Sequence, residues 1–253
     1  MRYAAGVEYN GAAFHGWEVQ QPEIRTVQGE VEKALSKVAN HFVRVTTAGR
    51  TDTGVHAVGQ VIHFESEAER SERGWLYGSN ANLPKDVCLS WLKPVSDQFH
   101  ARFSALSRTY RYTIFNRPVR TALSVQERTW IYHPLDEALM QLGANHLIGE
   151  HDFSSYRAVA CQAHSPVRTI HRLEVWREGE EVTIEVQANA FLHHMVRNIA
   201  GVLIAVGGGK HPPEWVKQVL EYRDRTLGGV TAPPEGLSLI VVDYPKELLG
   251  SIT

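Results

Sequence analysis

Gly49-Arg50-Thr51-Asp52-Thr53-Gly54-Val55-His56-Ala57 lies between two stretches that read as strands, Phe42 to Thr46 and Val58 to Phe64. Its two glycines permit sharp backbone turns and close approach of a ligand. A loop held at both ends by strands carries a reactive group on a rigid base. Arg50 stands two residues before Asp52, and a guanidinium near a carboxylate favours the ionised form. An ionised, oriented carboxylate can attack an electrophilic carbon, as in retaining glycosidases. That chemistry suits cleavage of a bond between a sugar and a base. On residue types alone, a β-turn with a local Arg–Asp pair is the commoner meaning of such a loop.

Outward from this loop the chain alternates strands and helices. Arg2 to Tyr9 places Tyr3, Ala5, Val7 and Tyr9 on one face, a period-two strand followed by the turn signal Asn10-Gly11. Thr26 caps a helix with apolar positions Val27, Val31, Leu35 and Val38. A helix over Ser71 to Tyr77 and a strand over Val87 to Leu92 complete the first half. The second half reads as a strand over Thr109 to Phe115, then a helix over Asp136 to Ile148 ended by Gly149. A hairpin of Val167–Trp176 and Val182–Ala188 turns around Glu178-Gly179-Glu180. Helices over Phe191 to Val206, ended by Gly207-Gly208-Gly209, and Pro213 to Tyr222 precede a last strand, Leu237 to Val242. Each half approximates β-α-β-β-α-β, the ferredoxin-like order. The expected class is α+β: two ferredoxin-like subdomains with mainly antiparallel sheets, residues 1–104 and 105–253, joined near Ala101 to Arg108. A central cleft between such halves is the natural ligand site.

Composition sets further bounds. The 253 residues are 43% hydrophobic and 21% charged, an ordinary globular mix. Cys88 and Cys161 form no C-x-x-C pair, which argues against a disulfide framework or structural zinc and fits a reducing cytoplasm. Glu8 interrupts the N-terminal stretch before a signal-peptide core forms, and the longest apolar run, Ile199 to Val206, is too short to span a bilayer. Net charge is −2, yet its distribution is uneven. Residues 98–126 hold Arg102, Arg108, Arg111, Arg117 and Arg120 and no acid; residues 153–173 hold Arg157, Arg168 and Arg172, and residues 187–213 hold Arg197 and Lys210, again with no acid. Such segregation suits one basic face and a nucleic-acid partner.

Several stretches in order resemble one family, the A-type tRNA pseudouridine synthases. The Asp52 loop resembles its catalytic motif, with Thr53 where the family often has alanine. Tyr9-Asn10-Gly11, Phe14-His15-Gly16-Trp17, Thr26-Val27-Gln28 and Phe99-His100-Ala101-Arg102-Phe103 resemble further motifs, as do Arg108-Thr109-Tyr110-Arg111-Tyr112, Phe191-Leu192-His193-His194-Met195-Val196-Arg197 and Pro234-Glu235-Gly236-Leu237. Glu18 departs from the glutamine expected after Trp17. The resemblance implies a pseudouridine synthase fold and isomerisation of uridine to pseudouridine on the 3′ side of the tRNA anticodon arm, with neither metal nor organic cofactor. It makes Asp52 the nucleophile and Arg197 the arginine that pairs with it, with Arg50 ranked second. Tyr110 lies against the target base, Leu237 lines the pocket and Arg111 belongs to the substrate-binding set. Relatives are homodimers that bind tRNA across both subunits, so the expected partners are tRNA and a second copy, with no membrane.

Rival readings are weaker. Asp52-Thr53-Gly54 matches the aspartic-protease triplet, but that chemistry needs two carboxylates sharing a proton and an all-β fold. A non-catalytic RNA-binding module would suit ferredoxin-like sheets with exposed aromatics, leaving the Asp52 loop without a task. Gly207-Gly208-Gly209-Lys210 lacks P-loop spacing and ends a helix instead. The 13 histidines show no H-E-x-x-H or finger spacing.

Overall fold

A computed structural model describes residues 1–21 and 23–250. The chain divides into two compact units, Met1–Ser107 with the segment from Leu239 onward, and Arg108–Ser238. The first unit is built on β1 (Arg2–Tyr9), which pairs antiparallel with β3 (His56–Glu65) on one side and β4 (Val87–Val95) on the other. The sequence alternation implies one buried face, whereas residues 3–7 are buried throughout. The cause is the central position combined with small residues: a Cβ on Gly6 would stand 2.2 Å from Trp91 Nε1, so the indole covers the strand there. β2 (Val45–Thr47) pairs with β3.

Two helices complete the unit. α1 (Val27–Ala39) begins as its sequence implies, with Thr26 Oγ1 accepting from the Gly29 N–H at 3.3 Å, and ends at Asn40 with φ 60°. Val27, Val31 and Leu35 are fully buried, the face that the 3.6-residue period selects. Glu32 on the same helix accepts from Gln28 and from the Val45 N–H, tying α1 to β2. α2 (Glu72–Asn80) is capped by Ser71 and passes close to α1, where a Cβ on Gly78 would lie 3.1 Å from Val38. The order β1-α1-β2-β3-α2-β4 is the expected split arrangement.

The second unit has the antiparallel strands β5 (Ser107–Asn116), β7 (Gly149–Asp152), β8 (Val167–Glu178) and β9 (Glu181–Ala188), in the order β5-β9-β8-β7. Gly179 turns the β8–β9 hairpin at φ +61°. β6 (Thr129–Ile131) pairs parallel with β5, an element too short to show a period. α3 (Glu137–Ala144) is capped by Asp136 and stops before the expected Ile148; residues 145–147 tighten into a 3-10 turn, and Gly149, at φ +102°, opens β7. α4 (Met195–Gly207) starts four residues later than Phe191, because His194 sits left-handed at φ 61° and breaks the helix there. Its end at the triple glycine is as expected: Gly208 N–H reaches Ile204 O, and Gly209 takes φ +73°. α5 is Trp215–Tyr222.

β10 (Leu237–Asp243) neighbours β3 in the first unit's sheet. A Cβ on Gly59 would meet Ile240 O at 2.2 Å, so Gly59 admits this strand. A cut at residues 104/105 therefore leaves the first unit without β10, its fifth strand. α6 (Lys246–Leu249) follows. Among the described residues, no helix is long and apolar enough to cross a membrane.

Candidate active site

The Asp52 loop is fixed from three directions within the first unit. Gln60 on β3 donates to Gly49 O at 2.7 Å, and Tyr9 at the end of β1 shares a hydrogen bond with the Thr51 hydroxyl at 2.7 Å. Burial pushes the Tyr9 phenol up to about 12. The Phe14–Trp17 segment straps the other side: Trp17 N–H donates to Thr51 O at 3.0 Å and Gly54 N–H donates to Phe14 O at 3.3 Å. Gly16, at φ +86°, has no room for a side chain, since a Cβ would lie 2.7 Å from Thr51 O. Val55 N–H closes a turn onto Asp52 O at 3.1 Å, with Gly54 left-handed at φ +79°. The two motifs read separately in the sequence are thus one hydrogen-bonded piece. It leaves Asp52 half-buried beside a buried Thr51.

His56, at the start of β3, is a supporting residue that the sequence does not single out. Its Nδ1 accepts from the Gly11 N–H at 2.9 Å, so the ring proton of the neutral imidazole is on Nε2. That nitrogen is buried without a hydrogen-bond partner among the described residues. A Cβ on Gly11 would stand 1.9 Å from Val55 O. The Asn10-Gly11 turn therefore presses directly on the Asp52 loop.

Arg50 takes a different partner from the one its spacing suggests. Its Nη2 pairs with Glu18 Oε1 at 2.6 Å, so the local guanidinium is engaged by the residue that follows Trp17.

In the second unit, β5 presents its expected residues on two faces, as strand alternation requires. Arg108, Tyr110, Tyr112 and Ile114 are buried, whereas Arg111 and Thr113 are half-exposed. The Tyr110 ring meets Phe191 edge-on at 5.1 Å between centroids. Arg111 points to the opposite face, where Glu185, its register partner on β9, holds it at 2.7 Å. Arg172 binds the other oxygen of Glu185 at 2.6 Å. These guanidiniums keep the Glu185 carboxylate ionised against burial, which works the other way, and the net displacement is downward. The structure does not bring Arg111 together with Tyr110.

Arg197 sits on the first turns of α4, and a segment of chain lies against it. Its Nε donates to Ala232 O at 2.8 Å, while Ala232 N–H donates to Arg197 O at 3.0 Å. Gly201 makes this possible: a Cβ there would lie 1.7 Å from Val230 O. Further along, Tyr112 OH bonds both Thr129 Oγ1 at 2.6 Å and Pro233 O at 2.9 Å. Burial first, then nearby Glu235, raises the Tyr112 phenol well above its ordinary value, against the lowering effects of Thr129 and Arg197. Thr113 N–H donates to Gly236 O at 2.9 Å, and Leu237 N–H closes a turn onto Pro234 O at 2.9 Å. The Pro234–Leu237 turn is thereby laid on β5, and Leu237 is buried at its end. Gly201 was the missed signal here, a helix-interior glycine with an energetic cost that close approach explains.

The family model described as tRNA pseudouridine synthase matches residues 5–104 and 144–245. The chain is 58% identical over 247 residues to tRNA pseudouridine synthase A of Methylococcus capsulatus, covering 98% of this chain and 91% of the relative. It is 56% identical over 245 residues to the protein of the same name from Alcanivorax borkumensis, covering 97% and 92%. A chain of a solved Cbf5–Nop10–Gar1 complex is similar at a TM-score of 0.39 and 12% identity, over 94% of this chain and 48% of that one, a likeness too slight to carry weight. Near-full-length identity above one half, joined to the matched model, decides the matter: the chain belongs to the tRNA pseudouridine synthase family, isomerases that convert uridine to pseudouridine in tRNA.

Proposed function

We propose that this enzyme acts on uridines on the 3′ side of the tRNA anticodon arm, with Asp52 as nucleophile. The observation that carries the reading is the Asp52 loop, whose backbone is fixed on both flanks by Gln60, Tyr9 and the Phe14–Trp17 strap. A carboxylate so held has little orientation left to lose on reaction. Its attack on the sugar or on the uracil ring breaks the bond from uracil N1 to ribose C1′; the base turns and rejoins C1′ through C5, C5 giving up its proton while N1 takes one up. Atoms balance without a co-reactant, since substrate and product are isomers.

The remaining roles follow the family resemblance and suit the local geometry. Arg197, oriented by Ala232 O, is the guanidinium that keeps Asp52 ionised in the reacting complex. Tyr110, propped by Phe191, lies against the extruded base, where stacking returns about 1–3 kcal/mol. Leu237 lines the pocket. Arg111, held by Glu185, we place outside the base-binding group. Arg50 is a substrate-facing cation that exchanges Glu18 for RNA. The working species is a cytoplasmic homodimer with tRNA bound across both copies.

The test is Asp52→Asn assayed on tRNA and on an anticodon-arm hairpin. Pseudouridine formation should vanish while affinity stays within about a factor of ten, roughly 1.4 kcal/mol. An active variant overturns the assignment. Mapping of the product in tRNA, at any site other than the anticodon arm, overturns the specificity alone.

A further inference from the structure

The loop from Phe99 to Leu106 holds an aromatic ring out in solvent. Phe103 is 76% exposed and Leu106 is 58% exposed. An exposed Phe on a loose loop would be unremarkable, but this loop is tightly built. His100 Nδ1 accepts from the N–H groups of both Arg102 and Phe103 at 3.2 Å, which fixes the imidazole plane. The His100 ring then stacks on Phe103 at 4.3 Å with 30° between planes. His100 and Ser104 exchange hydrogen bonds, N–H to Ser104 Oγ at 3.0 Å and Ser104 N–H to His100 O at 2.9 Å. Ala101 is gripped from both sides, donating to His63 Nδ1 at 3.1 Å and accepting from Tyr244 OH at 2.6 Å. Arg2 adds a bond to Phe99 O at 2.9 Å.

The ring is therefore preorganised, with one face on an imidazole and the Arg102 guanidinium 5.5 Å from its centroid. A π-face beside a guanidinium matches an unpaired nucleobase and its phosphate. An interface between copies of the chain calls instead for a broad apolar patch, on the order of 800 Å² per partner; here the ring is ringed by His100, Arg102 and Ser104. We propose that Phe103 is a stacking seat for an unpaired base of the tRNA, separate from the base that reacts. The inference rests on the reading of this chain as a tRNA-modifying enzyme.

The experiment compares wild type, Phe103→Ala and Phe103→Trp for binding of full-length tRNA transcript, with Asp52→Asn alongside. Phe103→Ala should weaken binding by about 5- to 150-fold, with an unchanged dependence on salt and kcat/KM lowered by the same factor. Phe103→Trp should restore affinity, and its fluorescence should be quenched on adding tRNA. Unchanged affinity in Phe103→Ala overturns the seat. So does a shift of oligomeric state on sedimentation that accounts for the lost affinity, which would make the ring a contact between copies. Failure of wild type to form pseudouridine would instead strike the functional reading, so the two failures are distinguishable.

Discussion

Arg50 Nη2 lies 2.6 Å from Glu18 Oε1, so the arginine nearest Asp52 in sequence is already engaged. The two side chains are 63% and 46% exposed, and such a pair contributes at most about 1 kcal/mol. It is therefore a contact that RNA can displace. Glu18→Gln should change stability by less than ~1 kcal/mol in urea denaturation. It should raise tRNA affinity several-fold at low salt, because a carboxylate leaves and a guanidinium is released toward phosphate. Filter binding at two salt concentrations checks this; weaker binding would show that the pair itself positions Arg50 for substrate.

Gly201 offers a sharper test of how Arg197 is placed. With a Cβ only 1.7 Å from Val230 O, Gly201→Ala must push residues 230–232 off α4. Ala232 O would then leave Arg197 Nε. The expected cost is about 1–3 kcal/mol of stability, with a fall in single-turnover rate at temperatures where the variant is fully folded. A folded variant with wild-type single-turnover rate would show that Ala232 O is dispensable to Arg197.

What the sequence made legible is local. The Asp52 loop, the strand β1, the Thr26 cap and the triple-glycine stop each depend on neighbours within a few residues, and each is present, although β1 is buried on both faces over residues 3–7. What it hid is pairing across distance. Residues 98–126 contain no acid, yet Arg111 and Arg117 are matched with Glu185 and Glu180, because antiparallel register sets β9 opposite β5. Arg172, in another acid-free window, likewise binds Glu174 and Glu185. A window count of charge cannot see such partners. Helix α4 starts late for a similar reason: His193 O is taken by Ala158 N–H, from a loop some 35 residues upstream.

Arg168 is the arginine of those windows for which the phosphate reading survives best. Among the described residues it has no carboxylate partner; Nη1 donates to Ser165 O and Val167 O, and Nε is buried without a partner. Burial depresses its pKa, the signature of a cation lacking a counterion. Arg168→Gln should weaken tRNA binding and reduce the slope of log affinity against log salt by about 1. Arg111→Gln, whose partner Glu185 keeps Arg172, should leave that slope unchanged. Equal slopes for wild type and Arg168→Gln would remove Arg168 from the RNA surface.

Tyr9 supplies a pH test of the loop's support. Its phenol is raised from 10.0 to about 12, mainly by burial and in opposition to its hydrogen bond with Thr51. A raised pKa means the folded state keeps a proton that the unfolded chain loses. The stabilisation is thus fully present below pH 10 and is lost as pH rises from 10 toward 12, by roughly 2–3 kcal/mol. Tyr9→Phe removes both the titration and the hydrogen bond. It should cost about 1 kcal/mol near pH 8, and its stability should decline less than that of wild type between pH 10 and 12. Urea midpoints measured across that range check the sign: parallel declines would mean that Tyr9 ionises freely, and that the phenol gripping Thr51 is not sealed from water.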